Sequence, residues 1–439
     1  MENFLKLGLR ESTARAFASF GFHHPTGIQA LAIPKLLKNV DRNFVVAAST
    51  GSGKTLTYMA ASIERMRDRE EASEAAGRVT LPGRPHTLVL VPTRELGEQV
   101  LGVAKAFSLD AKFRAASLLG NVPVSRMNTA MEQPFDILVA TPGTLVDWLE
   151  CRYPKVFLSY VKDVVLDEAD ALLAGKGFPI VMKPILDKLN RRDRDGSERK
   201  RRFIYVGATA PTKMLEKLSK DHRKDLEIVK SRDLHKIHSS GVFAEFVLIK
   251  QHESRFTELR KALEQGRRMI IFCKQASTVQ FLAHVIADMG FGCSMLYGSQ
   301  PRPNRAKNWR EYSEAFVNTI VCTDIASRGL DDITTETVFM YDPPKTGVDY
   351  LHRTGRLRAK GKVIVLVNKY ELNATRAMFI SHVRNETMED LDRYEYVRLL
   401  NHVRTAPRKR GIFRNAIEPA QEDLQHRITS SDRKRRVEG

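Results

Sequence analysis

The sequence has few cysteines, no long apolar run and too few acidic side chains to balance its basic ones. Its 439 residues include only Cys151, Cys273, Cys293 and Cys322, scattered without metal-ligand spacing. That pattern argues against a cysteine-built metal site and a disulfide framework, and a reducing interior is the simple reading. No stretch of about 18 consecutive apolar residues occurs, so no transmembrane helix is expected. The opening Met1-Glu2-Asn3-Phe4-Leu5-Lys6 does not read as a secretory signal, nor as an extended, acid-poor transit peptide. Either no import signal is needed or the sequence given lacks one. Lys and Arg number 71 against 52 Asp and Glu, a formal net charge of +19. Such an excess points to a polyanionic partner, nucleic acid before membrane phosphates, because no amphipathic anchor supports a membrane. The length exceeds one core, so two domains plus tails are expected.

What is present is organised around Ala48-Ser49-Thr50-Gly51-Ser52-Gly53-Lys54-Thr55. Phe44–Ala47 reads as a buried strand, and Leu56–Ile63 has helical spacing. Strand, glycine turn and helix form the context of a phosphate-binding loop. Glycines let successive N–H groups converge on a polyphosphate, and the helix N-terminus adds partial positive charge. Thr50, Gly51, Ser52 and Gly53 are therefore candidate phosphate contacts. Lys54 would reach the β- and γ-phosphates, and Thr55 would offer a hydroxyl to Mg²⁺. Position 48 is Ala where the generic pattern has Gly.

Residues 1–40 read as helices carrying Gly21-Phe22-His23-His24-Pro25-Thr26-Gly27-Ile28-Gln29, with Phe4 seventeen residues before the start of that stretch. A glutamine amide both donates and accepts, which suits the adenine N6/N7 edge, and an aromatic offers a flat surface beside it. Taken alone, Gln29 is an ordinary helix residue. Its place before the phosphate loop makes it a candidate adenine reader. Residues 65–86, rich in charge, Ala, Gly and Pro, read as a surface excursion. The strands Thr87–Val91 and Ile137–Ala140 each end in a turn that opens a helix, Pro92-Thr93-Arg94 and Thr141-Pro142-Gly143. Such turns could bind a sugar-phosphate backbone; equally, the prolines could be simple helix caps. A further strand, Val164–Leu166, leads into Asp167-Glu168-Ala169-Asp170. Asp167 there could organise Mg²⁺, and Glu168 could position an attacking water.

Asp-Glu-Ala-Asp, the phosphate loop and the glutamine signature together resemble the DEAD-box ATP-dependent RNA helicases. Later stretches match that family in order: Gly207-Ala208-Thr209, Met269–Cys273, Thr323-Asp324-Ile325-Ala326-Ser327-Arg328-Gly329-Leu330-Asp331, and Tyr350-Leu351-His352-Arg353-Thr354-Gly355-Arg356. The resemblance implies an α/β fold of two tandem RecA-like domains, each a mostly parallel sheet flanked by helices, with a basic C-terminal tail. It places the domains at residues 1–230 and 241–400, the linker at 231–240 and the tail at 401–439. It implies ATP and Mg²⁺ as cofactors. Phe22, Thr26 and Gln29 would meet adenine, Asp331 would approach the ribose, and Arg356 with Arg358 would stabilise charge on the γ-phosphate. Pro92, Thr93, Arg94, Thr141, Pro142, Gly143, Thr323 and Arg328 would hold single-stranded or locally duplex RNA without reading its sequence.

The sequence departs from the family pattern at several points. Thr144 replaces an arginine, Gly120-Asn121 stands for Gly-Gly, and Gly207 replaces a serine. The usual Gln-x-x-Arg is blurred in Gln300–Arg305. Ala359 occupies an arginine position that a one-residue deletion would return to Arg358. These departures keep a second reading in view, a slowly hydrolysing ATP-dependent RNA clamp or assembly scaffold. Phrases such as Cys322-Thr323-Asp324 and Tyr341-Asp342-Pro343-Pro344 resemble the mitochondrial DEAD-box group that assists large-ribosomal-subunit assembly. That suggests ribosomal assembly intermediates as partners and the mitochondrial matrix as compartment, with nucleus, nucleolus or cytoplasm as the alternatives. The basic stretches 190–202, 408–410 and 433–436 read either as RNA tethers or a nuclear address, or as plain solvated charge.

Overall fold

The computed structural model describes all residues except 74–80, 121, 175–177, 191–200, 223–224, 233, 235–240, 250–252, 325–334, 358–359, 385–387, 389–410 and 415–439. The chain forms two compact units, one built on Met1–Leu234, the other on His235–Ser327 and the chain from Asp331.

The first unit holds β1 (Asn43–Ala47), β2 (Thr87–Leu90), β3 (Ala115–Leu118), β4 (Ile137–Ala140), β5 (Asp163–Leu166), β6 (Arg202–Gly207) and β7 (Leu226–Lys230). They form one sheet in the order β3-β4-β2-β5-β6-β1-β7, and every pairing is parallel. Parallel strands covered on both faces read as continuous apolar runs, and β1, β2, β4 and β5 are buried throughout. Side chains alternate between two cores. Phe44 and Val46 pack with the helices at 11–19, 27–38, 54–73 and 94–111. Val45 and Ala47 pack with those at 142–150, 178–189 and 212–222. The register sets strand ends level, with Ala47 opposite Gly207 and Leu90 opposite both Ala140 and Leu166. The loops that leave these ends therefore share one edge of the sheet, where ligands of open α/β sheets bind.

Two expectations are corrected here. Residues 65–86 do not begin as a surface excursion, because the helix after β1 continues to Ser73 with Glu64, Arg65 and Met66 buried. Its charges are matched from elsewhere in the chain: Arg10 binds Glu64 at 2.6 Å, and Arg65 pairs with Asp163 at the start of β5. Phe4 offers no face to a base. It is fully buried and stacked on Phe17 with ring centroids 4.3 Å apart.

The second unit holds β8 (Gly241–Leu248), β9 (Met269–Cys273), β10 (Ser294–Leu296), β11 (Thr319–Thr323), β12 (Thr337–Met340), β13 (Lys360–Val367) and β14 (Gly411–Arg414). Their order is β10-β11-β9-β12-β13-β8-β14, again wholly parallel. Helices at 253–263, 276–288, 302–313, 347–354 and 372–384 connect them. β14 falls within the stretch read as a tail, so that stretch also contributes an edge strand. Among the described residues no helix is long and apolar enough to cross a membrane.

Candidate nucleotide site and sheet-edge turns

The loop after β1 turns through two left-handed glycines, Gly51 at φ 77° and Gly53 at φ 86°. Gly53 is required twice over, because a Cβ there would stand 2.3 Å from Gln29 Nε2. The helix starts at Lys54. The Lys54 ammonium donates to the loop's own carbonyls, Ala48 O at 2.7 Å and Ser49 O at 2.8 Å. Burial lowers its pKa to about 8, against the opposing pull of Asp167, Glu168 and Asp170. Ser52 Oγ is withdrawn from solvent without a hydrogen-bond partner among the described residues. A buried hydroxyl with unmet capacity fits a loop built to receive a polar ligand.

Thr26 and Gln29 hold this loop from the side. Thr26 caps the helix at 27–38 in a reciprocal box. Its Oγ1 accepts from Gln29 N–H at 3.4 Å, and Gln29 Oε1 accepts from Thr26 N–H at 2.9 Å. Thr26 Oγ1 also donates to Ser52 O at 2.7 Å. Gln29 Nε2 lies 3.5 Å from Gly53 O, and Phe22 packs against the adjoining core. The Thr-x-x-Gln cap was visible in the sequence as a spacing, and it was missed.

Asp167 leaves β5 at the same edge. One carboxylate oxygen accepts from Glu168 N–H and the other from the Tyr58 hydroxyl, both at 2.9 Å. Burial raises the Asp167 pKa, while Tyr58 and Lys54 oppose that shift. The Tyr58 hydroxyl, driven well above its ordinary range by burial beside Asp167, stays a donor. Tyr58 is the functional neighbour the sequence reading missed. Its signal was the four-residue spacing from Lys54, which puts both on one helix face. Glu168 has φ 48°, a strained value for a residue with a side chain. Asp170 accepts from Thr209 Oγ1, joining the acidic turn to Gly207-Ala208-Thr209. A Cβ on Gly207 would lie 2.6 Å from Thr209 O.

Among the described residues no three His, Cys, Asp or Glu side chains gather as a metal cage. Mg²⁺ needs less, because it keeps its waters and takes one or two carboxylates plus phosphate oxygens. Asp167 and the Thr55 hydroxyl suit that donor set.

The other strand ends carry the candidate RNA turns. Thr93 Oγ1 accepts from Leu96 N–H at 3.3 Å, capping the helix at 94–111. Pro92 is buried, and Arg94 is drawn along the helix to Glu98, Nε to Oε1 at 2.6 Å. Thr141 Oγ1 accepts from Gly120 N–H at 3.2 Å and donates to Thr144 Oγ1 at 3.1 Å. Thr144 thus closes a hydroxyl pair. Pro142 is buried as the first helical residue, and Gly143 is exposed.

In the second unit Thr323 ends β11. The following Asp324 takes a two-pronged bond from Arg353, at 2.7 and 2.8 Å. Arg353 Nη1 also donates to Asp342 O at 2.6 Å, tying the ends of β11 and β12 to the helix at 347–354. This buried arginine is a second residue the sequence reading left without a role. Arg356, half-buried, follows the helix at 347–354. Arg328, Asp331, Arg358 and most of the basic stretches lie outside the described residues.

Residues 26–218 match the DEAD/DEAH box helicase family, and residues 254–361 match the helicase conserved C-terminal domain. The chain is similar to DEAD-box ATP-dependent RNA helicase 39 of Arabidopsis thaliana, 32% identical over 89% of this chain and 63% of that one. It is 31% identical to the human probable ATP-dependent RNA helicase DDX28, over 89% of this chain and 76% of that one. Its mouse counterpart is 34% identical over 77% of this chain and 64% of that one. The chain thus spans less than two thirds of the plant and mouse relatives. The fold is similar to that of the solved structure of S. cerevisiae Dbp5 bound to RNA and ADP BeF3, with TM-score 0.72, 22% identity and coverage of 91% of this chain and 100% of that one.

Proposed function

The chain belongs to the DEAD/DEAH box helicase family, and from that membership we propose that it is an RNA-stimulated ATPase that locally unwinds or remodels RNA. The observation that carries this reading is the joining of Lys54, Tyr58 and Asp167 at neighbouring strand ends, beside a loop shaped by Gly51 and Gly53. In this reading Lys54 exchanges its carbonyl partners for the β- and γ-phosphates. Thr26 and Gln29, already fixed by their mutual cap, present amide and hydroxyl groups to adenine. Thr55 and Asp167 would hold Mg²⁺, which supplies charge neutralisation on the phosphates. Glu168, in its strained turn, orients the attacking water. Arg356, with Arg358, stabilises charge on the transferred phosphoryl group, and Asp331 approaches the ribose.

RNA is held at Pro92, Thr93, Arg94, Thr141, Pro142 and Gly143, and in the second unit at Thr323 and Arg328. Backbone N–H and hydroxyl groups there engage phosphates and 2′-hydroxyls without reading bases. In this reading residues 1–230 and 241–400 act as the two working domains, joined through 231–240. Ribosomal assembly intermediates as substrates, and the mitochondrial matrix as compartment, rest on the subgroup phrases in the sequence alone. The nucleus, nucleolus and cytoplasm are the alternatives.

A slowly hydrolysing RNA clamp is the second reading. It is favoured by Gly207, which lacks the hydroxyl of the serine usual in the family and has no room for that side chain as the turn stands. Strand release from a short RNA duplex separates the two. ATP-dependent release supports the helicase. ATP-dependent retention of single-stranded RNA with no release supports the clamp. Release that is equal for DNA and RNA duplexes counts against both.

A further inference from the structure

The edge of the first sheet opposite the phosphate loop carries an exposed aromatic and cationic surface that the proposed reaction does not use. The segment 151–160 runs between the helix at 142–150 and β5. Tyr153 is 74% exposed, Tyr160 52% and Phe157 39%. The Arg84 guanidinium lies 4.5 Å from the Phe157 ring centroid, and that of Arg152 lies 5.5 Å from Tyr153. Neither arginine forms an ion pair among the described residues.

The segment is held firmly against the chain that enters β2. Phe157 N–H donates to Gly83 O at 2.8 Å. Gly83 has φ 65°, and a Cβ there would lie 1.9 Å from Lys155 O. No other residue fits at Gly83 without moving the segment.

Arg201 Nη2 donates to Leu158 O at 3.2 Å, and its Nη1 reaches Leu189 O. Both described flanks of the basic stretch 191–200 therefore sit beside the aromatic segment. That stretch holds four arginines and Lys200 against three acids.

We infer that Tyr153, Phe157, Tyr160, Arg84 and Arg152 form a second contact surface for unpaired RNA, on the sheet edge away from the nucleotide loop. Exposed rings interleaved with guanidiniums that form no ion pair among the described residues offer stacking platforms and phosphate contacts together, the combination that binds single strands without sequence preference. A protein partner would also use exposed aromatics. Arginines serve protein interfaces too, so what favours a polyanion here is the net charge of +19 together with the neighbouring basic stretch. The surface would tether a flanking single strand while the opposite edge works on the duplex, so it rests on the reading of the chain as an RNA helicase.

The test uses the full chain, ATP omitted, and a long single-stranded oligouridine carrying 4-thiouridine. Crosslinks are expected on the peptide holding Tyr153 and Tyr160. The Tyr153→Ala/Tyr160→Ala variant should bind about tenfold more weakly while keeping its thermal unfolding and its turnover at saturating RNA. Arg152→Gln, a milder change, should lower the slope of affinity against salt by about one. Wild-type affinity in the double variant, with crosslinks confined to the turns at Thr93 and Thr141, overturns the inference and leaves the surface to a protein. Absence of any crosslink in the wild-type chain without ATP overturns the inference, and absence with ATP present as well overturns the helicase reading too.

Discussion

Replacing Asp163 with Asn should be among the most damaging single-atom changes in the first unit. The carboxylate is fully buried between two guanidiniums, those of Arg202 and Arg65, which are themselves buried. Arg202 places Nε and Nη2 on its two oxygens at 3.1 and 2.7 Å and gives Nη1 to Leu36 O at 2.6 Å. Burial alone would raise the Asp163 pKa. The two arginines more than reverse that and hold it at about 2, against an ordinary 3.8. A native pKa below the unfolded one stabilises the fold fully above the unfolded value and less as pH falls through the native one. The depression corresponds to about 2 kcal/mol at neutral pH. Leaving two buried cations on a neutral amide raises the expected loss towards about 4 kcal/mol. The two tryptophans make the assay local, because Trp148 lies in the first unit and Trp309 in the second. In a Trp309→Phe background, Trp148 fluorescence reports urea unfolding of the first unit. With a slope of about 3 kcal/mol per molar, the midpoint should fall by about 1 M. The wild type should lose stability between about pH 4 and pH 2 more steeply than the Asn variant. Equal midpoints at neutral pH, or parallel acid limbs, would refute the charge-pair argument.

Gly53→Ala should weaken binding of a fluorescent ATP analogue at least about tenfold, since the left-handed φ costs about 1 kcal/mol and Gln29 must also retreat; unchanged affinity would mean the loop is not held as described. Arg353→Met should destabilise the second unit by about 2–3 kcal/mol, read from Trp309 fluorescence in a Trp148→Phe background, because the bonds to Asp324 and Asp342 O are lost. Gly207→Ser should displace Thr209, break its bond to Asp170 and lower the first unit's urea midpoint by the equivalent of about 1–3 kcal/mol; a wild-type midpoint would show that the turn yields freely.

The strand-turn-helix around Lys54 and the buried strands ahead of Asp167 were legible because each is local. A parallel strand covered on both faces writes itself as an apolar run, and a glycine turn names its own φ. What joins these pieces was not legible. Tyr58 and Asp167 are 109 residues apart, and no periodicity announces a contact at that range. Arg353 and Asp324 meet only because parallel strands end level at one edge. The misreading of 65–86 has the same origin. Glu64 and Arg65 look like surface charge until Arg10 and Asp163, supplied from elsewhere in the chain, bury them. Phe4 was read as a possible platform for a base because sequence gives spacing but not depth, and its partner Phe17 takes its face.

ATP hydrolysis measured with and without single-stranded RNA, alongside Glu168→Gln, tests the central claim most directly. Glu168 is expected to act only on the attacking water, so the variant should retain ATP binding and lose turnover by about a hundredfold or more. The account predicts strong stimulation of the wild type by RNA, little by single-stranded DNA, and none in the variant. Turnover that is indifferent to RNA, or that survives in Glu168→Gln, would contradict it.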